Sequence, residues 1–170
     1  MNGFLCRACA SARAIIKDMK HFYTDGSAIP NPGDGGFAVI LDDRPVALGS
    51  EKNSTNIRME AQALIAAFNL SDPGDVITTD SEFWINVVTK WAPGWERNGW
   101  TKKNGEIKNL DLVQALYIAF KAHPDTKLEW TRGHVGTKGN ELADEWANKA
   151  RAGAKIINGE VIVGGEPVKF

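Results

Sequence analysis

Asp25 in Thr-Asp-Gly-Ser, Glu60 in Thr-Asn-Ile-Arg-Met-Glu, Asp80 in Thr-Thr-Asp-Ser and Asp144 in Asn-Glu-Leu-Ala-Asp-Glu are the residues of this chain best placed to do chemistry. Two stand where an apolar run gives way to a turn or helix start, and two lie in the opening turns of predicted helices. An α/β domain brings distant carboxylates together from such places. Two ionised carboxylates about 4 Å apart repel by roughly 4 kcal/mol at an effective dielectric near 20. Four that converge on one pocket therefore hold protons or take up cations, and hard oxygen ligands with open positions suit Mg²⁺ or Mn²⁺. Two such ions about 3.5 to 4 Å apart clamp the attacking and leaving oxygens of an in-line phosphoryl displacement. The chemistry these acids point to is phosphodiester hydrolysis.

Composition bounds the scaffold that must position them. With 170 residues, 43% of them hydrophobic, the chain can bury one substantial core and is short for two domains. Its formal net charge of −1 excludes a global positive field, so a nucleic acid would bind through a local patch. Cys6 and Cys9 have no second pair further along, which implies no disulfide framework and fits a reducing compartment. In residues 1–20, Arg7, Arg13, Lys17 and Lys20 stand among small residues without a long apolar run. That composition is shared by organellar presequences and ordinary extensions, and the reading here is an extension on a cytoplasmic protein, with no membrane association.

Periodicity supplies the elements. Residues 19–23 lead as a strand into Asp25-Gly26-Ser27, where a tight turn begins that the turn-rich stretch Pro30-Asn31-Pro32-Gly33-Asp34-Gly35-Gly36 continues, and residues 37–41 and 46–49 read as antiparallel strands around Asp42-Asp43-Arg44-Pro45. Residues 57–70 have helical spacing after the N-cap candidates of Asn53-Ser54-Thr55-Asn56, and Glu60 shares the core-facing stripe of Leu64 and Phe68. A β-branched run over 76–79 ends at Asp80, residues 83–91 and 109–122 read as helices, and Leu128 and Trp130 alternate in a last strand. Asn140 is the expected cap of a helix over 141–151 that carries Asp144. Together these make a mixed α/β domain over 21–152 between an extension at 1–20 and a tail at 153–170, where Asn158-Gly159 between apolar runs predicts a hairpin.

In order along residues 22–151 the chain reads Thr24-Asp25-Gly26-Ser27, Asn31-Pro32-Gly33, Thr55-Asn56-Ile57-Arg58-Met59-Glu60, Thr79-Asp80-Ser81, Lys108-Asn109-Leu110-Asp111-Leu112, and Gly133-His134-Val135-Gly136 followed by Asn140-Glu141-Leu142-Ala143-Asp144. This ordered set resembles the type 1 ribonucleases H, which cut the RNA strand of RNA–DNA hybrids. The resemblance implies a five-stranded mixed sheet flanked by helices and a monomeric, metal-dependent endoribonuclease that leaves 3′-hydroxyl and 5′-phosphate ends. It further implies that Asp25 is shared by two Mg²⁺ ions, for which Mn²⁺ substitutes, that Asp144 helps hold the ion that activates water, and that Glu60 and Asp80 hold the ion near the leaving oxygen. His134 is implied as a mobile group for proton transfer or product release, a role open to an imidazole that titrates near neutrality.

Substrate contacts are implied at Gly26, Ser27, Asn31, Thr55 and Asn56, and on a basic handle that carries Trp95, Trp100, Lys102 and Lys103. Trp84, Trp91, Trp95 and Trp100 are dense enough to form a local core as well as a stacking surface. Two positions depart from the family pattern: Ile57 replaces a typical asparagine and Glu82 a typical glutamine, and both changes weaken a grip on a polyanion. Over residues 93–108 four basic residues face two acidic ones, a net of +2 that makes a modest handle. An inactive hybrid-binding module and a DNA-processing nuclease of the same fold are the alternatives. The first would have lost one of the four acids, and the second would lack the handle and the Gly133-His134 loop.

Overall fold

The computed structural model describes residues 17–133 and 136–170. Five strands, β1 (His21–Ile29), β2 (Gly33–Leu41), β3 (Arg44–Ser54), β4 (Val76–Thr79) and β5 (Lys127–Trp130), form one sheet in the order β3-β2-β1-β4-β5. The first three pair antiparallel, whereas β4 joins β1 and β5 joins β4 in parallel. The Asp42-Asp43 turn between β2 and β3 has both residues at positive φ (51° and 62°), which matches the twist of the flanking strands. All four residues of β4 are buried, as expected of a parallel strand covered on both faces.

Period-two alternation divides the side chains between two cores. Phe22 and Val39 face a large core built with Leu64, Phe68, Ile77, Trp84 and Leu116. Tyr23, Ala38 and Ile40 face a smaller one with Ala143, Trp146 and Ala147. The helices α1 (Asn56–Leu70) and α4 (Leu110–Ala122) supply the first, and α5 (Lys138–Arg151) the second. Thr55 caps α1 by accepting from Arg58 N at 3.3 Å. Residues 153–170 add a second sheet, β6 (Lys155–Ile157), β7 (Glu160–Val163) and β8 (Glu166–Pro167), joined first by Asn158-Gly159 with φ of 51° and 81°. Val161 and Ala154 bury against the α5 core, and Phe170 lies 5.9 Å from Trp146 between ring centroids. Among the described residues no helix is long and apolar enough to cross a membrane.

Three local expectations are corrected. Asp25-Gly26-Ser27 is the middle of β1, paired with β2 through Asp25–Ala38, and not a turn after a short strand. The glycines that suggested a turn are there because helices press on the sheet. A Cβ at Gly26 would sit 2.3 Å from Glu60 N, and one at Gly36 would sit 2.4 Å from Ala147 O. Asn140 is the third residue of α5, 4% exposed, because the helix already starts from an extended Thr137 whose carbonyl accepts from Glu141 N. The predicted 83–91 helix divides into α2 (Glu82–Asn86) and a π-helical turn over Val87–Trp91, followed by α3 (Ala92–Arg97). Pro93 enters at the start of α3, where it lacks an N–H and its ring would crowd the Thr89 carbonyl of a regular α-turn; the wider turn relieves that clash. Residues 1–16, including Cys6 and Cys9, lie outside the described residues.

Candidate active site

The parallel register Thr24–Thr79 sets Asp25 and Asp80 side by side, each one residue beyond its threonine on neighbouring strands. Tyr23 and Ser27 reach toward α5, so Asp25 shares that face of β1 by the period of two. Its side chain is only 9% exposed, and its Oδ1 accepts from Gly26 N at 2.7 Å. Glu60 arrives from the other side of the sheet because α1 rests directly on Gly26. Ser81 Oγ donates to Glu60 Oε2 at 2.6 Å and ties the helix acid to the end of β4. Asp80 is framed by β5 and its following loop: Trp130 Nε1 donates to its carbonyl at 3.1 Å, and a Cβ on Gly133 would lie 2.9 Å from its Oδ2. Asp144, on the second turn of α5, completes the group. His134 lies outside the described residues.

The four carboxylates feel one another. Burial pushes the Asp25 carboxyl up to about 8, with the charges of Asp80, Asp144 and Glu60 acting the same way against the opposing Gly26 N–H. Burial likewise raises Glu60 to about 7, opposed by the Ser81 hydrogen bond and reinforced by Asp80. Among the described residues no three acidic, histidine or cysteine side chains already stand close enough to enclose an ion. Mutual repulsion of carboxylates opposes such closure. The donor set nevertheless fits hard divalent cations: it is all oxygen, and two members are raised to or above neutrality by burial and by neighbouring acids, a cost that a bound cation would relieve.

The residues expected to touch substrate fall into two groups. Gly26, Asn31, Thr55 and Asn56 lie together where β1 meets α1, and Ser27 follows Gly26 in β1 with its hydroxyl turned to α5. Ala28 N donates to Asn56 Oδ1 at 2.6 Å and Asn56 N to Asn31 Oδ1 at 3.2 Å, so both carboxamides brace this corner. Ile57, 37% exposed, follows them on the first turn of α1, and its carbonyl accepts from the buried Trp84 Nε1 at 2.7 Å. Glu82 is exposed at the start of α2. In the handle, Trp95 and Lys102 line a cavity of about 360 Å³ with Phe83, Trp91 and Lys108, whereas Trp100 lines a separate one and packs on Tyr117. Lys103 is exposed.

Sequence reasoning overlooked Ser81 as the orienter of Glu60, although it sits in the Thr79-Asp80-Ser81 motif. It also passed over Arg58, whose guanidinium bonds Glu51, Asn109 and Asp111 and so fastens the start of α1 to the start of α4. The tight seat of Gly26 has a measurable consequence. Gly26→Ala must move α1 and Glu60, an overpacking cost of about 1 to 3 kcal/mol. Calorimetry should show a lower Tm and the purified variant should lose most of its activity; a wild-type Tm would refute the seat.

The family model described as RNase H matches residues 17–152. The chain belongs to the ribonuclease H family. A ribonuclease H of Alcanivorax borkumensis is 41% identical over 133 residues, 75% of this chain and 87% of that protein. One of Agrobacterium fabrum is 42% identical over 139 residues, 77% and 94% of the two chains. Among solved structures, that of LC9-RNase H1, a type 1 RNase H with the type 2 active-site motif, superposes with a TM-score of 0.69 at 30% identity over 86% of this chain and 78% of that one. The five-stranded mixed sheet flanked by helices is thus the ribonuclease H-like fold, and the reaction of this family is endonucleolytic hydrolysis of RNA in RNA–DNA hybrids.

Proposed function

We infer that this chain cuts the RNA strand of RNA–DNA hybrids at the site formed by Asp25, Glu60, Asp80 and Asp144, leaving 3′-hydroxyl and 5′-phosphate ends. The observation that carries the reading is the Thr24–Thr79 register, which sets two acids at adjacent strand positions under a third held by Ser81. All four would hold two Mg²⁺ ions, with Mn²⁺ as a substitute; bound there, the ions supply positive charge to the phosphate and lower the pKa of an attacking water. The protein's own work is positioning. The Gly26 N–H fixes Asp25, Ser81 fixes Glu60, and the closely packed floor beneath them keeps the carboxylates poorly hydrated and avid for charge. His134 is assigned the proton-transfer or product-release role. The bacterial relatives support a cytoplasmic setting.

On the substrate side, Gly26, Ser27, Asn31, Thr55 and Asn56 are assigned to the RNA-facing corner, with Ile57 and Glu82 beside them. Trp95, Trp100, Lys102 and Lys103 are assigned to the handle side. Incubation of a strand-labelled hybrid with Mg²⁺, Mn²⁺ or EDTA, beside double-stranded RNA, double-stranded DNA and single-stranded RNA, tests the whole reading. Metal-dependent cutting confined to the hybrid's RNA is expected, and cutting of DNA or binding without cutting would overturn it.

Ile57 offers a finer check. Its exposed aliphatic side chain occupies a spot where an amide would provide two donors and an acceptor to a sugar–phosphate surface. Ile57→Asn should lower KM for the hybrid by roughly threefold to tenfold, the worth of one hydrogen bond of about 1 kcal/mol, with kcat near wild type. An unchanged KM in steady-state assays would refute the weakened-grip account.

A further inference from the structure

The acids of β1 and α5 are matched by a second rung of polar side chains. Ser27 Oγ donates to Asn148 Oδ1 at 3.3 Å, and Asn148 Nδ2 donates to the carbonyl of Asp144 at 3.0 Å. Arg151 Nη2 donates to the same Asn148 Oδ1 at 3.3 Å. Two donors at one end of the carboxamide and an acceptor at the other determine which way it points. The spacing of the rungs follows from backbone geometry. Two residues of strand advance about 6.7 Å and four residues of helix about 6 Å. When Ser27 meets Asn148, Asp25 therefore comes level with Asp144.

Apolar packing seats α5 on the sheet through Ala143, Ala147 and Ala150, all fully buried, and through Trp146, 5% exposed, in the smaller core. The three alanines permit close approach but interlock little, so beside Asp144 and Asn148 the polar rung adds to the register that Trp146 anchors. The backbone of α5 does press on Gly36, the β2 partner of Ser27, so the helix is nearest the sheet at the height of the polar rung. Once Asp25 ionises, its repulsion with Asp144 acts to open the same contact at the other rung.

We propose that Asn148 is a positioning residue for the hydrolytic site: by joining Ser27 to α5 it sets the height and rotation at which Asp144 faces Asp25. It touches neither substrate nor reacting atoms and acts through the helix. This rests on the function inferred above, in which Asp144 and Asp25 serve one site.

The test compares wild type with Asn148→Leu, which keeps the branched shape and the number of heavy atoms and removes the bonds, and with Ser27→Ala and the double variant. Each is measured for kcat and KM on a labelled hybrid, for Mn²⁺ binding by titration calorimetry without nucleic acid, and for Tm. Asn148→Leu is expected to lower kcat and Mn²⁺ affinity by about 10- to 100-fold, the range seen when an orienting partner of a metal ligand is lost, while KM for the hybrid stays within about twofold. Ser27→Ala should lower kcat and Mn²⁺ affinity in the same direction, and the double variant should be little worse than Asn148→Leu because both changes remove one link.

A fall in Tm with wild-type kcat and Mn²⁺ affinity well below the transition would overturn the proposal, as would strictly additive effects of the two substitutions. If Asn148→Leu does not fold, Ser27→Ala carries the test, since loss of Mn²⁺ affinity on removal of one hydroxyl supports the link and unchanged affinity rejects it. Failure of the broader reading is separable: wild type would then leave the hybrid intact, while the Mn²⁺ titration of the variants would still report on the link.

Discussion

Asp25→Asn is expected to lower turnover on an RNA–DNA hybrid by at least about 10³-fold, or about 4 kcal/mol at ~1.36 kcal/mol per factor of ten. Asp25 is the most buried of the four acids, the one whose carboxyl responds to all three others, and the one held by its own strand's backbone through Gly26. An amide there keeps the shape and loses the charge that a divalent cation requires. The same change should leave the fold intact. A neutral side chain also removes the need to bury a carboxylate, so metal-free Asp25→Asn should melt higher than metal-free wild type above about pH 8, where Asp25 ionises. Single-turnover cleavage and calorimetry at pH 8.5 read the two effects. Residual activity above about one per cent of wild type would move Asp25 out of the centre of the site.

Metal binding should expel protons, and its affinity should climb steeply across neutrality. Asp25 is raised to about 8 and Glu60 to about 7, whereas the same groups in an unfolded chain titrate near 3.9 and 4.3. Folded pKa values above the unfolded ones mean that the protonated acids favour the folded state. In metal-free protein their contribution is complete below about pH 4, declines as pH rises, and is lost once pH passes about 7 for Glu60 and about 8 for Asp25.

A divalent cation binds the ionised forms, so it must displace whichever protons remain. Apparent affinity should therefore rise on the order of tenfold per pH unit for each proton displaced. Two protons are in play below about pH 7, one between about 7 and 8, and none well above 8. Titration calorimetry of Mn²⁺ in buffers of different ionisation enthalpy measures the count directly. Net release at pH 6.5 that vanishes by pH 9 is the expected pattern, and no release at pH 6.5 would show that the acids are already ionised and that burial does not govern them.

The four candidate acids were legible because each sits beside a local signal: Asp25 after a short apolar run, Glu60 in helical register with Leu64 and Phe68, Asp80 at the end of a β-branched run, Asp144 early in an amphipathic helix. Element types followed from periodicity for the same reason, since alternation and 3.6-residue spacing are properties of the chain that burial only ratifies. Local signals misled where a long-range contact overrode them. Gly26 and Gly36 carry the composition of a turn, yet they lie in paired strands because α1 and α5 need bare backbone to approach. Likewise Asn140 has the chemistry of a cap but is buried within α5, whose start is set at Thr137.

By itself the sequence determined which side chains could do chemistry, the elements that bear them, and the turn residues, such as Asn158-Gly159, whose backbone preferences are intrinsic. Only the tertiary structure decided how those side chains meet. The pairing of Thr24 with Thr79 across 55 residues of chain makes Asp25 and Asp80 neighbours, Ser81 finds Glu60 on another element, and Asn148 finds Ser27 at a sequence distance of 121. The raised carboxyl groups belong to this second class. An acid's ionisation depends on the water it loses and the charges brought near it, and neither exists until the sheet has paired and both helices have closed on it.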